Sequence, residues 1–210
     1  MWSPLLDRLL YRRPFEGGSA RRYARDERPA FGDLDARLLD QLPLDGARTL
    51  LDLGCGPATF ARLAAARHPG LAVVAIDPSH DFTHAQPAAG PRFVRARGEA
   101  LPLADRSIDL AICLSSIRHV RDRLATFREL RRVVRGCLVI VELDPAADDA
   151  RVAAHADHLA SMVLRRAFAP LVLRTAPPVD LIADLAGTAG FVERVRTADP
   201  VQPVYILELA

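Results

Sequence analysis

The sequence predicts an α/β protein: a doubly wound open sheet of seven strands, mostly parallel, with an antiparallel strand at its C-terminal end. Three observations carry this expectation. Short apolar runs alternate with helical patterns between residues 49 and 143. The run 71–76, Leu-Ala-Val-Val-Ala-Ile, is apolar on both faces, as strands covered by helices on each side tend to be. The last two runs alternate and are separated by Pro200 and Pro203, the pattern of an antiparallel pair.

In chain order, residues 1–32 are rich in Arg and broken by Pro4, Pro14, Gly17, Gly18 and Pro29. They predict a short helix over 4–12 and then loop. Leu34, Leu38, Leu39 and Leu42 fall at helical spacing and predict a helix over 33–42. Residues 49–53 form a first buried strand, and a helix over 60–67 follows until His68-Pro69-Gly70 stops it. The run 71–76 is the second strand, and only a brief helix follows it. Phe93 and Val94 mark a third, weaker strand, and 108–114 and 137–143 are the fourth and fifth. Between the last two, Val120, Leu124, Phe127, Leu130 and Val134 stripe one face of a helix over 120–135. Its arginines are read as a solvated face. Residues 146–168 predict one long helix, Ala176-Pro177-Pro178 breaks the chain, and a helix over 179–186 leads into strands 191–196 and 204–209.

Half of the 210 residues are hydrophobic and 26% are charged, the balance of one globular domain. All 28 residues counted as Lys or Arg are Arg, and Lys and Asn are both absent. That excludes Schiff-base lysines, lysine general bases and phosphate loops of the GxxxxGK[ST] kind. A formal charge of +2 gives little support to a nucleic-acid partner. Cys55, Cys113 and Cys137 are far apart and form no Cys-x-x-Cys pair, which argues against a disulfide framework or structural zinc and for a reducing cytoplasm. Asp7 and Arg8 interrupt the first apolar run before it reaches signal-peptide length. No segment approaches the roughly 20 apolar residues of a membrane span. A cytoplasmic protein with no membrane partner is expected.

The most informative stretch is Leu50-Leu51-Asp52-Leu53-Gly54-Cys55-Gly56-Pro57-Ala58-Thr59. A buried strand ends in an acidic residue, two glycines allow a tight turn, and a helix opens. A dinucleotide fingerprint, G-x-G-x-x-G, needs a third glycine where Thr59 stands, and it leaves Asp52 without a task. An adenosine ligand carrying an amino acid in place of a pyrophosphate uses a carboxylate there, to receive its ammonium group. Asp77, ending the second strand, can accept from both ribose hydroxyls in either reading. Asp52 and Thr59 together favour the amino-acid-bearing nucleoside.

Asp-Leu-Gly-Cys-Gly-Pro, then Ile-Asp-Pro-Ser, then Gly-Glu-Ala-Leu-Pro-Leu-Ala-Asp-Arg-Ser-Ile-Asp resembles the class I S-adenosylmethionine-dependent methyltransferases. It is most similar to the small-molecule branch of ubiquinone and menaquinone C-methyltransferases, over about residues 33–143. The resemblance implies a Rossmann-like fold, S-adenosyl-L-methionine as cofactor, and methyl transfer to a small-molecule substrate. It implies that Gly54, Cys55 and Gly56 contact the methionine part through their backbone, with Asp52 near the ammonium group. Asp77 holds the ribose, Pro78 lies beside the adenine, Gly98 and Glu99 meet the adenine edge, and Leu114 and Ser115 lie near the methyl group. One domain then spans 1–210: an N-terminal arm over 1–32, a cofactor-binding core over 33–143, a substrate-cap insertion over 144–178, and a C-terminal helix and strand pair over 179–210. A monomer or homodimer is expected.

The sequence departs from the family where Ala58 replaces a third glycine, which is compatible with a negative φ. Arg97 stands where an adenine-facing Asp is usual, and Arg135-Gly136-Cys137 is a short turn lacking Pro-Gly-Gly. His119, just beyond the fourth strand, is the candidate general base, or else a structural imidazole. Arg118 is either an anchor for an anionic substrate group or a solvated side chain. Tyr23 either folds over the cofactor or lies on the surface. His80 with His84, and His155 with His158, sit one helical turn apart, but neither pair has a third ligand in its segment, so no metal site is expected. Cys55 reads as a small turn residue and not a nucleophile. A non-catalytic cofactor-binding protein of the same fold is the alternative to an enzyme.

Overall fold

The computed structural model describes residues 15–84 and 90–210; the helix expected over 4–12 lies outside them. Seven strands form one sheet: β1 (Thr49–Leu53), β2 (Ala72–Asp77), β3 (Arg92–Arg95), β4 (Ile108–Leu114), β5 (Val134–Leu143), β6 (Glu193–Ala198) and β7 (Val204–Leu209). Their order is β3-β2-β1-β4-β5-β7-β6. β1 through β5 pair in parallel, and β7 runs antiparallel to both of its neighbours. The chain winds outward from β1 to β3, then returns to β4 on the other side. The switch point therefore lies between β1 and β4, where the carboxyl ends of such sheets leave a crevice.

Helices cover both faces, as the apolar strands require. On one side, α2 (Leu34–Gln41) and α3 (Thr59–Arg67), which follow α1 (Gly17–Arg22) in the N-terminal arm, bury Leu34, Leu38, Phe60 and Ala61 against Leu50, Leu110, Ile112 and Val141. A short α4 (His80–His84) follows β2. On the other side α5 (Arg123–Val133), capped by Asp122 accepting from the Ala125 amide at 2.8 Å, sets Phe127, Leu130 and Val133 on Leu51, Ala111, Leu138 and Ile140. Adjacent strand residues such as Leu50 and Leu51 thus enter opposite cores, which is why these strands read as unbroken apolar runs. β5 begins directly after α5, and the close fit needs Gly136: a Cβ there would come 2.3 Å from the Asp109 carbonyl oxygen.

The single helix expected over 146–168 is not formed. The chain instead makes α6 (Asp149–Asp157), α7 (Met162–Ala167), a π-helical turn (Phe168–Val172) and a 3-10 turn (Leu173–Thr175), before α8 (Val179–Thr188). Ser161 is extended, and Pro170, having no amide hydrogen, sits in the widened turn. The breaks let Val152, Leu159, Phe168, Leu173 and Ala176 all reach the same core, which one straight helix would not allow. None of the described helices is long and apolar enough to cross a membrane.

Candidate active site

The turn after β1 is held by its own amides. Gly54 and Cys55 both donate to the Ile76 carbonyl, at 2.7 and 3.1 Å. Gly56 donates to Asp77 Oδ2 at 2.9 Å, and Ser79 donates to Asp77 Oδ1 at 2.8 Å. Gly54 and Gly56 have φ of 73° and 51°, and so does their non-glycine neighbour Ala58, at 60°. A negative φ, the condition under which alanine is readily tolerated at this position, is not met: the Ala58 amide closes the turn onto the Cys55 carbonyl, and its left-handed bend follows from that closure.

A cavity of about 670 Å³ opens above this turn at the carboxyl ends of β1, β2 and β4. All the cofactor-binding candidates and the candidate base line it: Asp52, Gly54, Cys55 and Gly56 from the β1 turn, Asp77 and Pro78 after β2, Gly98 and Glu99 after β3, and Leu114, Ser115 and His119 after β4. Asp52 is almost fully buried. Burial pushes its carboxyl up to about 7, helped by Asp35 and Asp77 and opposed by Arg28. Asp77 is also raised by burial, against the two amides that favour its charged form. Burial pushes the Cys55 thiol far up, so it is not a nucleophile at neutral pH.

Gly98 is a glycine for a packing reason: a Cβ there would lie 2.7 Å from Thr126 Cγ2 on α5. Glu99 accepts from the Asp122 amide at 3.3 Å, which ties it to the N-terminus of α5. Ser115 adopts φ 49° and donates its amide to Val141, and Ser116 Oγ donates to the Leu53 carbonyl at 2.8 Å. His119 is half-buried, with its ring 4.7 Å from that of Phe15, edge to face. Burial pushes its imidazole down to about 3, and Arg118 and Arg123 add to the shift. The ring is neutral at physiological pH.

Four cavity residues come from the N-terminal arm: Phe15, Glu16, Tyr23 and Arg28. Ser79 Oγ donates to the Phe15 carbonyl at 2.6 Å and the Gly17 amide donates to Asp81 at 2.8 Å, which seats the arm over the turn. Tyr23 reaches within 3.9 Å of where a Gly56 Cβ would lie, and burial raises its hydroxyl to about 12. Of these four only Tyr23 was legible in the sequence, because a broken Arg-rich arm carries no periodicity that points inward. No described side chain of 144–178 lines the cavity.

Arg118 does not line the cavity, and its side chain is not free in solvent. Its Nη2 donates to the Val172 carbonyl at 2.9 Å and to Thr175 Oγ1 at 3.3 Å. The arginines of α5 are likewise not simply solvated. Arg132 pairs with Glu129 and Asp105 and bonds the carbonyls of Leu101 and Leu103, Arg123 bonds those of Ile117 and Arg118, and Arg131 that of Gly190. Arg97 lies exposed at the cavity mouth. His155 is buried between Phe31 and Phe168 with Nδ1 2.6 Å from Gln202 Oε1, whereas His158 Nδ1 faces the Ala154 carbonyl, so the two share no site. Among the described residues no three metal-ligating side chains come together.

Comparison with known proteins gives this site a context. Residues 51–140 match the family described as methyltransferase domain. The matched span runs from β1 through most of β5. An uncharacterized methyltransferase from Mycobacterium sp. (strain KMS) is 42% identical over 92 residues, 43% of this chain and 36% of that relative. One from Mycobacterium tuberculosis (strain ATCC 25618 / H37Rv) is 36% identical over 129 residues, 58% of this chain and 48% of that relative. The chain thus spans about half the length, or less, of these curated relatives. Among solved structures, a SAM dependent methyltransferase from Aquifex aeolicus superposes with a TM-score of 0.66 at 13% identity, over 100% of this chain and 98% of that one. Magnesium protoporphyrin IX methyltransferase from Synechocystis PCC 6803, solved with bound SAM, gives 0.68 at 17% identity, over 100% and 99%. At such identities the likeness is one of fold. The chain shares the Rossmann-like α/β architecture of these structures, and the finer likeness to quinone C-methyltransferases rests on the sequence motifs alone.

Proposed function

We propose that the chain is an S-adenosyl-L-methionine-dependent methyltransferase acting on a small-molecule acceptor by in-line displacement. The observation that carries this is the polarity of the glycine turn. The amides of Gly54, Cys55 and Gly56 are all engaged within the protein, so the turn offers a ligand carbonyl oxygens and two buried carboxylates, not donors. A pyrophosphate needs the reverse. An ammonium-bearing nucleoside fits what is present.

In this reading Asp52 receives the ammonium group, and Asp77, each of whose oxygens accepts one amide, turns its remaining lone pairs to the ribose hydroxyls. Pro78, Gly98 and Glu99 border the adenine. When bound, the cofactor supplies an electrophilic methyl group on a sulfonium. The protein's task is alignment: holding an acceptor about 3–3.5 Å from that carbon contributes roughly 7–11 kcal/mol. Leu114 and Ser115 form the floor at that point, and Phe15 and Tyr23 on the seated arm exclude water. His119 takes the acceptor's proton. Its low basicity is no obstacle, because a hydroxyl or amine becomes strongly acidic as the new bond to carbon forms. The acceptor is expected to meet the N-terminal arm, since that arm supplies cavity-lining side chains and no described side chain of 144–178 does.

Calorimetric titration with S-adenosylmethionine and with NAD tests the reading. Binding of the first at micromolar concentration and no measurable binding of the second is the expected result. Tight NAD binding without S-adenosylmethionine binding would overturn it.

A further inference from the structure

Large apolar side chains of this chain are mostly buried, and two adjacent residues depart from that furthest. Met162 and Val163, which open α7, are 69% and 76% exposed, more than any other large apolar side chain among the described residues. The orientation of the helix is fixed from within. Leu164 packs on the core and Phe168 is buried in it, so the opposite face of α7 is held toward solvent.

That face also carries positive charge. Arg165 and Arg166 follow Met162 by three and four places, and Arg166 follows Val163 by three, so the four side chains share one side of the helix. Arg174, exposed as well, adds a third cation to the segment, and residues 158–179 contain no Asp or Glu. Arg165 is tethered: its Nε donates to the Leu159 carbonyl at 2.8 Å, and Asp157 lies 3.9 Å from its Nη1. Arg166 and Arg174 have no hydrogen-bond or ion-pair partner among the described residues, unlike Arg123, Arg131 and Arg132 of α5.

Three kinds of occupant can meet an apolar pair set among cations. A second copy brings the same arginines together across the symmetry axis, where they repel. A nucleic acid neutralises arginines at its phosphates and offers two aliphatic side chains nothing to enter. An anionic lipid surface answers both features. Its headgroups meet the guanidinium groups, and the boundary beneath them takes in apolar side chains.

We propose that this face of α7, together with Arg174, docks the chain on an anionic lipid surface, with Met162 and Val163 entering the headgroup boundary. This revises the expectation of no membrane partner. No described helix is long and apolar enough to cross a membrane, and contact with one leaflet does not need one. The docking face is independent of the cofactor reading. It adjoins the loop that borders the cavity, because Arg118, the neighbour of His119, donates to the Val172 carbonyl.

The test is co-sedimentation of the full chain with vesicles of phosphatidylcholine alone and of phosphatidylcholine with one third phosphatidylglycerol. Binding to the mixed vesicles is expected to be at least tenfold stronger, and to weaken as salt screens the arginines. An Arg near an anionic surface contributes about fivefold, so Arg166→Gln with Arg174→Gln is expected to lose roughly twentyfold. The charge-matched pair Arg92→Gln with Arg128→Gln, exposed on β3 and α5, is expected to lose less than about threefold. Met162→Ser with Val163→Ser keeps every charge and is expected to lose about tenfold or more. All these positions are exposed, so the variants should keep the wild-type melting temperature.

No binding to the mixed vesicles overturns the proposal. Equal losses for the two arginine pairs also overturn it, because they mean adsorption of the whole molecule's charge. So does an unchanged affinity in Met162→Ser with Val163→Ser, which means that no apolar side chain enters. Binding of single-stranded oligouridylate without vesicle binding assigns the face to nucleic acid instead. A dimer in sedimentation velocity that Met162→Ser with Val163→Ser abolishes, again without vesicle binding, assigns it to a second copy.

Discussion

Gly54 and Ser116 meet where β1 and β4 leave the sheet, and the contact has no room for a methyl group: a Cβ on Gly54 would lie 2.4 Å from Ser116 Cβ. Gly54 also holds φ 73°. Two separate demands, one on backbone conformation and one on space, fall on one residue. The turn under the cavity is therefore set by a neighbour 62 residues away as much as by its own sequence.

Gly54→Ala is accordingly predicted to destabilise the protein by about 2–4 kcal/mol, combining left-handed strain and overpacking. Ser116→Gly relieves only the second. In urea unfolding the double variant should be more stable than the sum of the two single losses predicts, giving a favourable coupling. Strict additivity would mean that the Ser116 contact is not what excludes a side chain.

Asp77→Ala removes both the proposed ribose acceptor and the partner of the Gly56 and Ser79 amides. Charge-assisted hydrogen bonds of about 1.5–3 kcal/mol give an affinity loss for S-adenosylmethionine of at least tenfold, and the orphaned amides lower the melting temperature. An unchanged dissociation constant would show that the ribose is held elsewhere.

The buried carboxyl of Asp52 predicts a pH dependence with a definite sign. Its pKa rises from 3.8 unfolded to about 7 folded, so the free protein is most favoured below pH 4 by this group, and that contribution is lost as pH rises toward 7. A ligand ammonium favours the charged carboxylate, so S-adenosylmethionine affinity should increase from pH 5 to 7. Asp52→Asn should flatten both trends, raising the stability of the free protein at pH 8 relative to wild type while weakening the cofactor. Parallel pH profiles for variant and wild type would show that another group titrates.

His119→Ala is predicted to lower kcat about 10²–10⁴-fold if the acceptor must lose a proton, with cofactor affinity changed less than twofold. Because the imidazole is pushed from 6.5 down to about 3, its stabilising contribution is complete above pH 6.5 and is lost as pH falls toward 3. The wild-type rate should consequently show no imidazole limb between pH 5 and 8. Full activity in the variant assigns the ring to its packing against Phe15.

Much of the site was legible because it is local. Asp52 and Asp77 end apolar runs, and glycines between strand and helix mark a turn with positive φ; these follow from rules acting within ten residues. The φ of Ala58 was not legible, because it is decided by closure of the turn and not by the residue's own preference. The 146–168 segment was misread because its average periodicity is helical, while the positions of Leu159, Phe168 and Leu173 in the core require three changes of direction. The arginines of α5 were read as solvated because carbonyl partners such as those of Leu101 and Gly190 have no signature in sequence.

By itself, the amino-acid order determined the order of elements, the doubly wound class of the sheet and the residues gathered at its switch point, since period, apolar content and backbone freedom are properties of short segments. Tertiary structure alone decided which atoms those residues have left to offer. The Gly54, Cys55 and Gly56 amides are engaged by the Ile76 carbonyl and by Asp77, and Arg28 is brought to the wall beside Asp52 by an arm with no inward-facing pattern. Those pairings join residues roughly 20 or more positions apart, and only packing of the whole sheet and its helices selects them.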